Sequence, residues 1–170
     1  RGTNSNHMLV KVNGVKINPG TAGGASIYNL DTELMNSVEI GYGPLSSVHG
    51  SAAIGGVMNI STKPIERVSN YKIGIHGGPD NYQKELLSFN YGFSENIFTS
   101  FSGSSTKTDG FPALSNSQLD RAYDNYTVIS SIDLSMNIFD LDFSSWKASG
   151  EIEYLVFGAP VSQDYENSAY

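Results

Sequence analysis

Between Val38 and Lys63 the chain reads VEIGYGPLSSVHGSAAIGGVMNISTK, two β-branched runs held apart by a glycine-dense loop. The runs Val38-Glu39-Ile40 and Val57-Met58-Asn59-Ile60-Ser61-Thr62 have strand composition. Gly43-Pro44, Gly50 and Gly55-Gly56 lie between them. Glycine reaches backbone angles closed to other residues and lets neighbouring chains approach, whereas Pro44 fixes one φ angle and removes one donor. The pattern predicts two short strands joined by a loop of defined shape.

Ten positions at fixed spacing carry this stretch: Glu39, Gly43, Pro44, Ser46, Gly50, Ala53, Gly55, Gly56, Asn59 and Thr62. Together they form E-x-x-x-G-P-x-S-x-x-x-G-x-x-A-x-G-G-x-x-N-x-x-T, which closely resembles the end of the plug domain of TonB-dependent outer-membrane receptors. Upstream, Arg1-Gly2 and the run from Leu9-Val10 through Asn13-Gly14-Val15 to Asn18 are similar to another pattern of the same plugs. Asn13 replaces the usual Asp there, and Asn-Gly between apolar runs is a strong hairpin signal. Two departures stand inside the main motif. Tyr42 occupies the position of an Arg expected to pair with acidic barrel residues, and His49 that of a Tyr.

The chain has 170 residues and no cysteine, so disulfides and thiolate metal sites are absent and the redox compartment stays open. A net charge of −7 argues against nucleic acid as partner, because phosphate binding needs a basic surface. The charge is unevenly spread. Residues 1–63 hold four basic and three acidic side chains, net +1, and residues 64–170 hold six and 14, net −8.

After Lys63 the period changes to two. Tyr71, Ile73 and Ile75 alternate with Lys72, Gly74 and His76, and Leu87, Phe89, Tyr91 and Phe93 alternate with Ser88, Asn90 and Gly92. Ser94-Glu95-Asn96 reads as a tight turn, Ile97 to Phe101 as the start of a third strand, and Ser104 to Asp124 as a long polar loop. Tyr126–Met136 and Asp142–Phe157 read as fourth and fifth strands. Short turns alternating with long loops fit an outer-membrane barrel. No apolar run is long enough for a transmembrane helix, which leaves barrel strands untouched. Tyr71, Phe89, Tyr91, Phe93 and Phe101 suit a lipid-facing girdle, and would equally suit the interior of a soluble β-sandwich.

Other chemistry finds little support. Gly50 to Gly56 lacks the Lys and hydroxyl residue of a phosphate-binding loop, since Gly56 and Val57 stand in their places. His7, His49 and His76 show neither metal-ligand spacing nor a nucleophile elbow. Asp109, Asp120, Asp124 and Glu166 match no EF-hand and read as solvated loop charges. Asp31 to Ser37 is expected to form a short helical turn capped by Asp31 or Thr32, too short for a site.

The expected fold is therefore all-β dominated: the end of a plug, a small mixed sheet with short helices, over residues 1–63, then about five antiparallel strands of a transmembrane barrel over residues 64–170. Five strands do not close a barrel, so the chain is expected to be part of a larger protein lacking the plug's start and most of the barrel. The resemblance implies TonB-dependent import of a scarce nutrient across the outer membrane, with no catalysis, metal or cofactor. The implied partners are a TonB-type energy-coupling protein, outer-membrane lipid, and cobalamin or a ferric siderophore as ligand, with haem behind them. The order of features looks most like the cobalamin receptor branch. It also implies a substrate-facing plug loop at Pro19, Gly20, Thr21, Ala22, Gly23, Gly24 and Ala25. The alternatives are a soluble all-β binding or adhesion module and a β-rich hydrolase.

Overall fold

The computed structural model describes residues 4–19, 24–25, 27–64, 66–112, 121–156 and 159–170, with backbone alone for residues 5, 155, 156, 159 and 160. Two sheets form. The smaller contains β1 (Met8–Val12), β2 (Val15–Lys16), β3 (Ser37–Tyr42) and β4 (Gly56–Ser61) in the order β2-β1-β4-β3. β1 runs parallel to β4, and the other pairs are antiparallel, so the sheet is mixed. Asn13 and Gly14 make the β1–β2 turn with φ angles of 49° and 85°, both in the left-handed region that Asn-Gly tolerates. A four-residue helix, α1 (Ser46–His49), lies in the loop from β3 to β4. Asp31 caps a 3₁₀ turn, Thr32–Leu34, by accepting the Glu33 N–H.

The larger sheet is a six-stranded antiparallel meander. Its strands are β5 (Asn70–Gly77), β6 (Gln83–Ser94), β7 (Ile97–Thr108), β8 (Tyr123–Ser135), β9 (Asp140–Val156) and β10 (Ala159–Ala169). Alternation sorts the side chains. Lys84, Leu86 and Asn90 of β6, Phe98, Ser100, Ser102 and Ser104 of β7, and Asn125, Thr127, Ile129 and Ser131 of β8 turn inward and are buried. Leu87, Phe89, Phe101, Val128 and Ile132 turn outward and are exposed.

The small sheet packs on the inner face of the large one. Val10, Val12, Leu30, Leu34 and Ile60 meet Ile129, Trp146, Ala148 and Ala169 in one buried cluster. A smaller cluster of Leu9, Ala53 and Val57, with Leu45 and Ala52 against it, fills the other face of the small sheet. The exposed outward rings decide between the two readings of the aromatic stripe. In a sandwich they would be buried between sheets, and here Phe89 stacks on Tyr91 and Tyr91 meets Phe93 edge-on along the open surface.

Two details differ from the sequence reading. The polar stretch expected to loop from Ser104 to Asp124 is strand at both ends, because its small hydroxyl residues pair with neighbours. Lys107 pairs with Asp124 and Thr108 with Tyr123. A sixth strand, β10, pairs with β9 along its whole length, although its Asp164 and Glu166 mask any apolar alternation. Among the residues named above, Arg1, Gly2, Gly20, Thr21, Ala22, Gly23, Asp120 and Phe157 lie outside the described residues.

Candidate functional site

The residues singled out in the glycine motif build the plug-like sheet itself. Gly56 has φ of 149°, and a Cβ there would lie 2.5 Å from the Gly41 carbonyl oxygen, so β3 and β4 approach only because the side chain is absent. Gly43 and Gly50 also take left-handed angles on either side of α1. Ala53 is wholly buried, and the Gly55 N–H donates to the His7 carbonyl at 2.8 Å. Asn59 stands in one cross-strand row with Lys11 and Glu39. Thr62 is bound by Asn13: the Asn13 amide donates to Thr62 Oγ1 at 2.8 Å and accepts the Thr62 N–H at 2.9 Å. The Thr62 hydroxyl also lies 3.2 Å from Asn13 Oδ1, so an Asp at position 13 would accept from both the hydroxyl and the N–H, and the Asn keeps the turn without the charge. Tyr42 is 81% exposed, and His49 Nδ1 lies 3.3 Å from Lys11 Nζ.

The ligand-loop residues are only partly in view. Pro19 is exposed, Gly24 is half-buried, and Ala25 packs against the main apolar cluster; Gly20, Thr21, Ala22 and Gly23 lie outside the described residues.

The feature that sequence reasoning missed is the seam between the two sheets. At one end, Lys84 of β6 reaches from the inner wall to the 3₁₀ turn, with Nζ at 2.7 Å from Asp31 and 2.8 Å from Glu33. The residue is 8% exposed and the Asp31 side chain 4%. Glu33 also meets His76 at 3.4 Å and Lys72 at 3.8 Å from β5. Burial pushes the Asp31 carboxyl up, but its bonds from Lys84 and the Glu33 N–H hold it below its usual range. Glu33 is likewise held low, chiefly by its hydrogen bond from Lys84. Next to this cluster the Asn29 carbonyl accepts from Asn125 Nδ2 at 3.2 Å and Thr127 Oγ1 at 3.3 Å, and Tyr165 donates to Asn125 Oδ1 at 2.8 Å.

At the other end Lys63 leaves the small sheet and meets Asp133 of β8 at 2.7 Å and Asp142 of β9. The seam is thus an apolar contact with a group of ion pairs at each end. One signal was available: Lys84 falls on the inward parity of β6 among Leu86, Ser88 and Asn90, where a lone charge demands a partner.

Comparison with known proteins agrees with this architecture. The TonB-dependent Receptor Plug Domain family matches residues 1–57. A protein named Vitamin B12 transporter BtuB from Vibrio vulnificus is 31% identical over 157 residues, covering 91% of this chain and 26% of its own length. The protein of that name from Photobacterium profundum is 31% identical over 169 residues, covering 96% of this chain and 28% of its own. The chain therefore spans about a quarter of the length of these relatives. Among solved structures, the siderophore receptor PiuA from Acinetobacter baumannii aligns with a TM-score of 0.65 and 18% identity over 89% of this chain and 20% of its own, a likeness of fold alone. A plug-domain match at one end and homology continuing along nearly the whole chain leave one assignment: the chain belongs to the TonB-dependent receptor family.

Proposed function

We propose that residues 1–63 are the closing part of a plug and residues 64–170 the opening strands of an outer-membrane β-barrel, in a receptor that imports cobalamin with energy delivered through a TonB-type partner. The observation that carries this reading is the two-faced wall. Its outward face carries exposed apolar side chains such as Leu87, Phe89, Phe101, Val128 and Ile132, its inward side chains are largely polar, and a separate small sheet packs on the inward side. A barrel enclosing a plug requires that combination. The relatives' names favour cobalamin over a ferric siderophore, since the siderophore receptor shares the fold alone. The loop from Pro19 to Ala25 is the plug segment we assign to substrate. The receptor reading leaves the protein a transporter rather than an enzyme.

The test uses the complete receptor carrying these residues. Unboiled gels should show a heat-modifiable shift, and cells should take up labelled cyanocobalamin only when the TonB-type partner is present. Uptake of a ferric siderophore in place of cobalamin would overturn the substrate assignment. A folded monomer that stays soluble without detergent would overturn the barrel.

A further inference from the structure

Beyond the Lys84 cluster, where β5 turns into β6 and β7 ends, the structure holds a cavity of about 390 Å³. Its walls are fixed by hydrogen bonds. The Tyr82 N–H donates to the Pro79 carbonyl at 3.0 Å and the Gly78 N–H to the Tyr82 carbonyl at 2.9 Å, which closes the β5–β6 turn. The Asp80 carbonyl accepts the Asp109 N–H at 2.9 Å and the Thr108 hydroxyl at 3.0 Å, so the turn is tied to the end of β7. Across from it, Gly110 takes φ of 74° and passes so close to the Arg121 carbonyl that a Cβ would have no room. Tyr82 stands two residues before the inward Lys84, and Arg121 two before Tyr123, whose hydroxyl lies 3.4 Å from Asn29 Oδ1. The cavity therefore lies on the inner side of the wall, at its loop end.

The lining is apolar on one side and cationic on the other. Pro79, Tyr82 and Phe111 supply apolar surface, and Arg121 supplies a guanidinium. Arg121 Nε is buried and has no hydrogen-bond partner. Among the described residues Arg121 also enters no ion pair. The carboxylates around it are engaged otherwise. Asp109 accepts from the Asn81 amide, Glu153 accepts the Ala122 N–H at 3.1 Å, and Asp80, at the cavity's rim, is exposed to water. A buried donor on a cation is costly to leave without an acceptor. Guanidinium meets phosphate oxygens through paired, charge-assisted bonds, and aromatic side chains pack against flat rings. The volume stands at the low end of small-molecule pockets, which suits one arm of a large ligand.

We propose that this cavity binds a phosphodiester joined to a flat apolar ring, with Arg121 on the phosphate and Tyr82 and Phe111 against the ring. The inference rests on the cobalamin reading above and deepens it. Cobalamin carries such a group once, in the nucleotide arm that links its benzimidazole base to the corrin ring. Arg121, Tyr82 and Phe111 are then specificity residues, because a corrinoid without that arm has nothing to offer them.

Calorimetry on the complete receptor, folded in detergent, tests this with two probes: cyanocobalamin, and dicyanocobinamide, which lacks the nucleotide arm. Arg121→Gln should weaken cyanocobalamin binding about ten- to hundredfold, as loss of a charged hydrogen bond does, and leave dicyanocobinamide within about twofold. Lys107→Gln, which removes an exposed cation from β7, should change neither. Equal loss for both ligands, no loss for either, or the same selective loss from Lys107→Gln overturns the arm assignment and leaves the cobalamin reading standing. A wild-type receptor that binds neither corrinoid refutes the cobalamin reading itself, and the arm assignment with it. If Arg121→Gln loses the heat-modifiable shift of a folded barrel, Phe111→Ala takes its place with the same selective loss expected, Phe111 being 69% exposed and outside the packed core.

Discussion

Replacing Lys84 by Met probes the seam where the structure concentrates charge. Among the described residues, Lys84 is the cation bonded to Asp31, whose side chain is 4% exposed. Without it Asp31 keeps one neutral donor, the Glu33 N–H at 3.0 Å. Glu33 loses less, because it is a third exposed and retains His76 and Lys72. Breaking one partner out of a buried pair costs about 3–5 kcal/mol. The retained Glu33 N–H and the water reaching Glu33 place this case near the lower end, at about 3 kcal/mol. The readout is hydrogen exchange of plug amides in the complete receptor, where about 3 kcal/mol corresponds to an opening constant raised by roughly two orders of magnitude. Lys84→Met combined with Asp31→Asn should recover most of the loss, since no buried charge is left over. Single variants that each change exchange by less than about 1 kcal/mol would show that the cluster behaves as an ordinary surface pair, and the argument from burial would fail. pH offers a second check. Asp31 is held below its ordinary value of 3.8 when folded, so its contribution is fully present above that value and is lost as pH falls through the lower folded pKa. Acid should therefore loosen the native plug in that window, and the Lys84→Met plug, whose Asp31 has lost the cation that lowers it most, should show a weaker dependence.

Further outcomes follow from single contacts. Gly56→Ala forces a Cβ to 2.5 Å from the Gly41 carbonyl and should cost the plug more than about 1 kcal/mol in urea unfolding. Gly41→Ala has its close contact with the flexible end of Leu45 and should cost less. Asn13→Asp keeps the turn, and its carboxylate accepts from both the Thr62 N–H and the Thr62 hydroxyl, so the same assay should move by less than about 1 kcal/mol. Lys63→Ala leaves Asp133 and Asp142 facing each other without their cation; as Asp142 is 57% exposed, the cost should stay near about 1 kcal/mol and emerge as faster proteolysis between residues 64 and 69.

What the sequence made legible follows from how local each signal is. Asn13-Gly14 specifies a turn within two residues, and the structure closes β1 on β2 there. Period-two alternation exposed β5 and β6, because strands with one apolar and one polar face repeat a simple contrast. In β10 the outward Asp164 and Glu166 replace that contrast, and its strand character comes from pairing with β9. The seam is harder still. Asp31 and Lys84 are 53 residues apart, and no local pattern announces that a three-residue turn will meet an inward lysine. The short turn expected to be too small for a site carries the carboxylates that hold the plug.

On the proposed receptor reading, the seam also lets one plug be both sealed and movable. Along the wall, inward hydroxyls satisfy one another: Ser88 with Ser102 at 2.8 Å and Ser100 with Ser131 at 2.6 Å. A hydroxyl already bonded across strands has little to gain from the plug, so sliding past it forfeits little. The directional contacts gather instead at Asp31, Glu33 and Asn29 near one end and Lys63 near the other. Between them lies apolar contact, which is non-directional and is lost in proportion to the area separated. Such a seam resists small displacements through its two charged ends, and once either end is broken it has few directional bonds left to oppose further movement.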